Sequence, residues 1–255
     1  VVTDAELTQL CLTNAGLIGA CAAAYGGTVE RTDALDRHRV PVPGGLWNSV
    51  TRSAVAADDA DRTIAETLAW YGGSCRWWTG PATEPADMDD RLLAAGFEGE
   101  RIPAMVCDLT GDRDAADPRG LAIERATDRP AIDDAMVVFE SIGGGGDWVG
   151  AWADVFAWFL DRPDEPVQVF VGRVDGAPVA CGWLARGDGV TGVYGVQTIE
   201  THRGQGYGAA LTRATMRAGR DAGDTMAVLQ AAPLAEPLYA RVGFRTVGTV
   251  GLFER

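Results

Sequence analysis

Apolar and polar positions in the second half of the chain alternate between two periods. Residues 121–126, 167–171, 179–185, 190–199, 226–230 and 244–253 are apolar or alternating runs of strand length. Residues 130–141, 148–160, 209–222 and 234–242 read as helices, with Asp128 placed to cap the first. Asp175-Gly176 and Asp188-Gly189 sit between neighbouring strand runs, where a tight hairpin turn is expected. The predicted order is β-α-α-β-β-β-α-β-α-β. In the first half, Leu7, Leu10, Cys11, Leu17, Ile18 and Cys21 recur at helical spacing until Tyr25-Gly26-Gly27. Asp4 and Glu6 stand where a targeting signal would carry positive charge, so this reads as an amphipathic helix. No apolar run is expected to reach the roughly 18 residues that cross a bilayer.

A diverged repeat underlies this order. Residues 75–109 and 226–253 each give an apolar strand, a proline-bearing connection, an amphipathic helix ending in Gly-Phe, and another strand. The helices before them, 61–71 and 209–222, correspond as well. Between the copies, TGDRDAADPRG at 110–120 is polar, charged and proline-containing, and reads as a linker. The expected domains are therefore 1–112 and 121–255, joined by 113–120.

Composition narrows the chemistry. The chain has 255 residues, 47% hydrophobic and 23% charged, with 36 acidic against 22 basic residues, a net charge of −14. Such a chain is a poor general partner for nucleic acid. Every basic residue is Arg, which removes Schiff-base chemistry, the P-loop Lys and lysine bases. Two His and five scattered Cys give no metal-ligand spacing, so no metal is expected. The cysteines read as small core residues of a cytoplasmic protein. The acidity is uneven: residues 199–255 carry 5 acids and 7 Arg, a local excess of positive charge where an anionic ligand is expected.

That region holds the strongest motif. A strand through Val196, Gln197 and Thr198 runs into Arg203-Gly204-Gln205-Gly206-Tyr207-Gly208, and a helix follows at once. Glycines allow tight turning and close approach, and the amides of the first helical turn favour an anion such as a pyrophosphate. A Walker loop is excluded by the missing Lys. A dinucleotide fingerprint is excluded because the loop follows the fourth strand of a mainly antiparallel order and no acid follows at a second parallel strand.

The loop resembles the Q/R-x-x-G-x-G/A signature of the GNAT superfamily of acyl-CoA N-acyltransferases. Leu238-Tyr239-Ala240-Arg241-Val242-Gly243-Phe244 resembles that family's later helix, with its Tyr ahead of a Gly-Phe. The resemblance covers 121–255, and the repeat suggests a two-unit member with a degenerate first half. It implies an α/β (α+β) fold with a central, mostly antiparallel mixed sheet flanked by helices. It also implies acetyl-CoA (acyl-CoA) as cosubstrate and no metal. The pyrophosphate would be held by Arg203, Gly204, Gln205, Gly206, Tyr207 and Gly208. The pantetheine arm would lie along Val196, Gln197 and Thr198, on a strand that splays from the next. Tyr239 would be the general acid.

The general base is not marked by spacing; Glu140, Asp147, Glu200 and Tyr194 are candidates, with Glu140 assigned. Arg213, Arg217, Arg241 and Arg245 are candidates for the adenosine phosphate. Trp148, Trp152, Trp158 and Trp183 are expected to wall the acceptor side. In the first copy the loop becomes Val55-Ala56-Ala57-Asp58-Asp59-Ala60, and Leu92 or Leu93 falls at the Tyr239 position, so that half is expected neither to bind CoA nor to catalyse. The expected activity is direct acetyl transfer to the amine of a small molecule, by a monomer or homodimer needing neither nucleic acid nor membrane. The alternatives are a non-catalytic acyl-CoA-binding or regulatory module, or a protein-amine acetyltransferase.

Overall fold

The computed structural model describes residues 2–111, 115–143, 146, 148–162 and 167–255, with only the backbone at Ile142 and Gly143. Asp147, residues 144 and 145 of the glycine run at 143–146, and part of the 113–120 linker lie outside the described residues. The chain forms two compact units. One comprises Val1–Val106, Gln230–Glu236 and Thr246–Arg255; the other comprises Cys107–Leu229 and Pro237–Arg245.

The first unit begins with α1 (Asp4–Ala15) and α2 (Leu17–Ala22), followed by β1 (Thr28–Arg31), β2 (Leu35–Arg39) and β3 (Ser49–Ser53). After α3 (Ala60–Tyr71) come β4 (Arg76–Thr79), α4 (Met88–Ala94) and β5 (Glu98–Asp108). β1, β2 and β3 form an antiparallel meander, and β3 runs parallel to β4. The helical spacing read from Leu7 to Cys21 is realised as two helices, because the chain breaks at Gly16. Asp4–Tyr25 is, by length and composition, a 22-residue stretch apolar enough to cross a bilayer, contrary to the sequence expectation. Its apolar residues are spent inside the unit instead: Leu7, Cys11, Leu12 and Ile18 are buried.

The second unit contains β6 (Leu121–Arg125), α5 (Arg129–Gly143), α6 (Trp148–Leu160), β7 (Val167–Val174), β8 (Ala177–Gly187) and β9 (Val190–Thr198). These are followed by α7 (Tyr207–Asp221), β10 (Met226–Gln230), α8 (Glu236–Val242) and β11 (Arg245–Glu254), in the order the sequence predicts. β6, β7, β8 and β9 are antiparallel neighbours and β10 joins β9 in parallel. Both Asp-Gly turns adopt positive φ at both residues, 48° and 83° at 175–176 and 54° and 76° at 188–189, as two-residue hairpins require.

The last strand does not stay with its neighbours in sequence. β11 pairs antiparallel with β4 in the first unit, Phe253 opposite Trp77 and Gly251 opposite Thr79. Phe253 thereby enters the first unit's core with Val50, Val55, Ile64, Trp77, Met88, Leu92 and Phe97.

One residue of the first unit ties its stability to pH. His38 is 2% exposed, its Nε2 has no hydrogen-bond partner among the described residues, and a Cβ on Gly19 of α2 would collide with its ring. Burial pushes its pKa down to about 4; a bond to the Leu46 backbone opposes that shift and the Arg31 charge adds to it. The neutral ring is the native form, while the unfolded chain takes up a proton below pH 6.5. Its contribution is therefore whole above pH 6.5 and lost as pH falls toward 4. The loss amounts to about 3 kcal/mol across that window. Denaturant melts of wild type and His38→Leu between pH 4 and 7 should show this slope in the wild type only; equal slopes would refute it.

Candidate functional site

The site is built where β9 leaves β10. The parallel ladder runs from Val190 opposite Met226 to Gly192 opposite Val228, while β9 continues to Thr198 and β10 to Gln230. Burial follows the parting: Val190 to Val193 are buried, and every residue from Tyr194 to Thr198 is half-buried. The joined end is pinned by polar side chains. Asp224, just before β10, accepts from Arg186 of β8 at 2.7 and 2.8 Å and from Thr191 of β9 at 2.5 Å. The Thr225 amide also donates to the Gly189 carbonyl at 3.0 Å. One end of the strand pair is thus clamped and the other is open.

A bulge re-aims β9 at the start of the opening. Pairing with β8 shifts register between Cys181, opposite Gln197, and Trp183, opposite Tyr194. Gly195 lies in the shifted stretch with φ +57°, and a Cβ there would collide with the six-membered ring of Trp183. Neither the bulge nor the partnership of Gly195 with Trp183 follows from strand periodicity. Gly195, one of two glycines within the predicted strand 190–199, was the available signal.

The predicted phosphate loop takes the form its glycines dictate. After a single 3₁₀ turn at Glu200–His202, Gly204 and Gly206 adopt φ of +77° and +84°, and Gly206 is the residue from which α7 starts. A Cβ on Gly204 would meet nothing within 4 Å, so its glycine serves backbone conformation and not packing. Loop residues 203–206 are exposed, and α7 has no side-chain cap. The amides from Gly204 to Ala209 have no acceptor among the described residues, leaving donors at the positive end of a 15-residue helix. Arg203 Nε donates to the Thr198 carbonyl at 3.2 Å and ties the loop to the end of β9.

Tyr207 contributes only its amide to this surface. Its ring is buried with Phe170, Val179, Ala180, Leu184 and Leu211, and its hydroxyl donates to Gln205 Oε1 at 3.0 Å. Gly208 is the meeting point of the elements. A Cβ placed there would lie 3.4 Å from Leu238 of α8, 3.8 Å from Val196 and 3.9 Å from Thr198. The loop, the open part of β9 and the helix bearing Tyr239 therefore converge. Val196 and Thr198 face α7, and strand alternation puts Gln197 on the opposite face.

Tyr239 is half-buried on α8, its ring edge-on to Phe244 at 6.0 Å. Its hydroxyl makes no hydrogen bond among the described residues, and burial raises its pKa, so the phenol stays protonated. Glu140 is half-buried on α5, and its carboxylate makes no ion pair or hydrogen bond among the described residues. Glu200 is exposed and Tyr194 half-buried.

The tryptophans divide. Trp148 and Trp152 of α6 gather with Trp183 of β8 around Phe139 of α5, at ring separations of 6.0, 5.6 and 5.2 Å. Trp158 stands apart, with the Arg162 guanidinium 3.5 Å over its ring. Since Trp183 packs on α5 and α6 while Leu184 packs with Leu211 of α7, those helices cover opposite faces of β8. Arg213 and Arg217 line a small cleft with Asp108, Leu109 and Gly111, and Arg217 lies 3.6 Å from Asp117.

Cys75 and Cys181 are not poised as nucleophiles. Burial pushes the Cys181 thiol up to about 12 and the Cys75 thiol up to about 11. Among the described residues no three His, Cys, Asp or Glu side chains gather to hold a metal ion.

No curated protein matches the chain in sequence. Among solved structures, a GCN5-related N-acetyltransferase from Kribbella flavida is 20% identical, covering 93% of this chain and 95% of its own at a TM-score of 0.67. A functionally unknown conserved protein from Staphylococcus epidermidis is 14% identical, covering 90% and 94% at 0.66. A GCN5-related N-acetyltransferase from Sphaerobacter thermophilus is 16% identical, covering 100% and 93% at 0.59. At these identities the likeness is one of fold. Residues 135–244, which contain the open strand, the glycine loop and Tyr239, match the acetyltransferase (GNAT) family. That match spans somewhat under half of the chain, and the likeness to the GNAT acetyltransferase family is a property of this segment of the second unit.

Proposed function

We propose that the second unit transfers an acetyl group from acetyl-CoA to the amine of a small molecule by direct attack. The observation that carries this reading is the convergence at Gly208 of an open strand, a loop of undirected amides and the helix of Tyr239. The residues fit the cosubstrate: amides 204–209 and Arg203 suit a pyrophosphate, and the unpaired edge of β9 at 196–198 suits the amides of pantetheine. Acetyl-CoA supplies the activated acyl thioester.

The chain's own groups handle two protons. Attack requires a neutral amine, and Glu140 is assigned as the base that takes the amine proton, directly or through water. As the new C–N bond forms and the C–S bond breaks, the Tyr239 hydroxyl gives its proton to the departing sulfur. A phenol whose pKa burial has raised keeps that proton until a thiolate develops beside it. Half-buried Phe139 and Trp148, backed by the buried rings of Trp152 and Trp183, support an acceptor with apolar bulk, and the charge of −14 supports a cationic amine.

The first unit reads as a worn copy of the second. In both, the amide of the Phe after the helix donates to a carbonyl five residues earlier, Phe97 to Leu92 and Phe244 to Tyr239, each at 3.0 Å. That bond equates Leu92, fully buried, with the proton donor. Asp58 and Asp59 precede α3 where the second unit has its glycines. The test is thiol release from acetyl-CoA over a panel of small amines, with the product identified by mass. Release with at least one amine is expected. Tight acetyl-CoA binding without release would leave a binding module, and release only with peptides would make the acceptor a protein amine.

A further inference from the structure

The first unit has the same open strand pair as the second, yet its opening is filled. β3 and β4 are paired in parallel only from Ser49 opposite Arg76 to Val50 opposite Trp77, after which the strands part. Into the parting comes residue 84 of the chain itself. The Glu84 amide donates to the Ser53 carbonyl at 3.0 Å, and the Val55 amide donates to the Glu84 carbonyl at 3.2 Å. Ala54 and Glu84 thereby form a one-residue parallel bridge.

The second unit has no such insert among its described residues. The last amide to bond the preceding strand is Ala54 to Ala34 in the first unit and Ile199 to Val179 in the second. Ser53 thus corresponds to Thr198, whose carbonyl accepts, among the described residues, from the Arg203 side chain and from no backbone amide. Burial tells the same story. Ser53 is fully buried and Val55 is 5% exposed, whereas residues 196–199 are half-buried.

The filling segment is built for its place. Thr83 closes a turn on Gly80, its Oγ1 accepting from the Gly80 amide at 2.8 Å and its own amide donating to the Gly80 carbonyl at 3.0 Å. The Ala82 amide reaches Gln9 of α1 at 3.4 Å. The connection is also longer than its counterpart, 80–87 between β4 and α4 against 231–235 between β10 and α8. On the far side of the bridge, Val55 packs with Met88 and Leu92 in one apolar cluster.

We propose that 80–85 is a built-in substitute for the pantetheine arm of acyl-CoA, which closes the first unit's slot to the cosubstrate. An amide in a chain offers the same donor and acceptor to a strand edge whether it belongs to a peptide or to pantetheine. A tethered segment competes at a high effective concentration that a free ligand does not reach. The lost glycines and the buried Leu92 follow as residues no longer held to a ligand's needs. The inference rests on the acyl-CoA reading of the second unit for the identity of what is displaced.

Two measurements on the intact chain test it. Calorimetric titration with acetyl-CoA should give one equivalent per chain, and two equivalents would overturn the proposal. Hydrogen exchange should find the Val55 and Glu84 amides protected without ligand, with acetyl-CoA adding protection over 196–208 and none over 53–60. Rapid exchange at Val55 and Glu84, or ligand-induced protection there, would overturn it. Absence of any acetyl-CoA binding would instead defeat the reading of the second unit, while exchange at Val55 and Glu84 would still decide whether the segment is locked in place. Replacing 80–87 with the 231–235 sequence should raise exchange at Val55 in any folded product; unchanged exchange counts against the substitution.

Discussion

Tyr239→Phe should lower the turnover of acetyl transfer by about 10²-fold or more, the range expected when a general acid is removed, with little change in acetyl-CoA affinity. The substitution removes one oxygen from a half-buried ring that keeps its edge-on contact with Phe244. That oxygen has no hydrogen-bond partner among the described residues, so its loss orphans no protein group and costs little stability. Binding stays because the loop amides, Arg203 and the β9 edge are untouched. The pH profile separates the roles further. Burial raises the Tyr239 pKa, so a wild-type acid limb belongs on the alkaline side and should vanish in Tyr239→Phe. Steady-state kinetics with the best amine, paired with acetyl-CoA titration, checks this. Unchanged turnover would remove Tyr239 from the mechanism, and a parallel loss of affinity would make it a binding residue.

Gly195→Ala should cost about 2–5 kcal/mol of stability in the second unit, combining left-handed backbone strain with overpacking against the buried Trp183 ring. The added methyl has no room to relax into. Trp183 is 3% exposed and held by Phe139 at 5.2 Å and Phe156 at 5.1 Å, so its ring cannot swing away. The alternative is for β9 to lose its bulge, which would move residues 196–198 relative to the glycine loop. Urea denaturation should therefore show the loss of stability, and the variant that still folds should bind acetyl-CoA more weakly. Trp183→Leu in the same chain should recover part of the stability, because the obstacle is the ring; no recovery would place the constraint elsewhere. A wild-type denaturation midpoint for Gly195→Ala alone would show that neither strain nor contact is real.

The glycine loop was legible because its chemistry is local. Gly204 and Gly206 take left-handed conformations that need no distant partner, and the helix that follows supplies the dipole. The Asp-Gly turns and the Gly-Phe helix ends were legible for the same reason. What periodicity could not show is pairing over long separations. Strand alternation alone leaves open which face Gln197 takes, and the direction became fixed only when Val196 and Thr198 packed on α7. Four tryptophans close in sequence read as one wall, yet Trp158 sits beneath Arg162 and the others meet at Phe139.

The sequence by itself determined the elements of the second half, their order, the glycine loop ahead of α7 and the place of Tyr239 on its helix, since each depends on residues within one or two turns of chain. Only the tertiary structure decided that β11 completes the first unit's sheet, that Asp224 clamps one end of β9 while the other opens, and that Glu84 fills the first unit's slot. A strand edge bonds any backbone of the right geometry with the same amide and carbonyl, so the choice of partner is carried by packing and chain length and not by the local pattern.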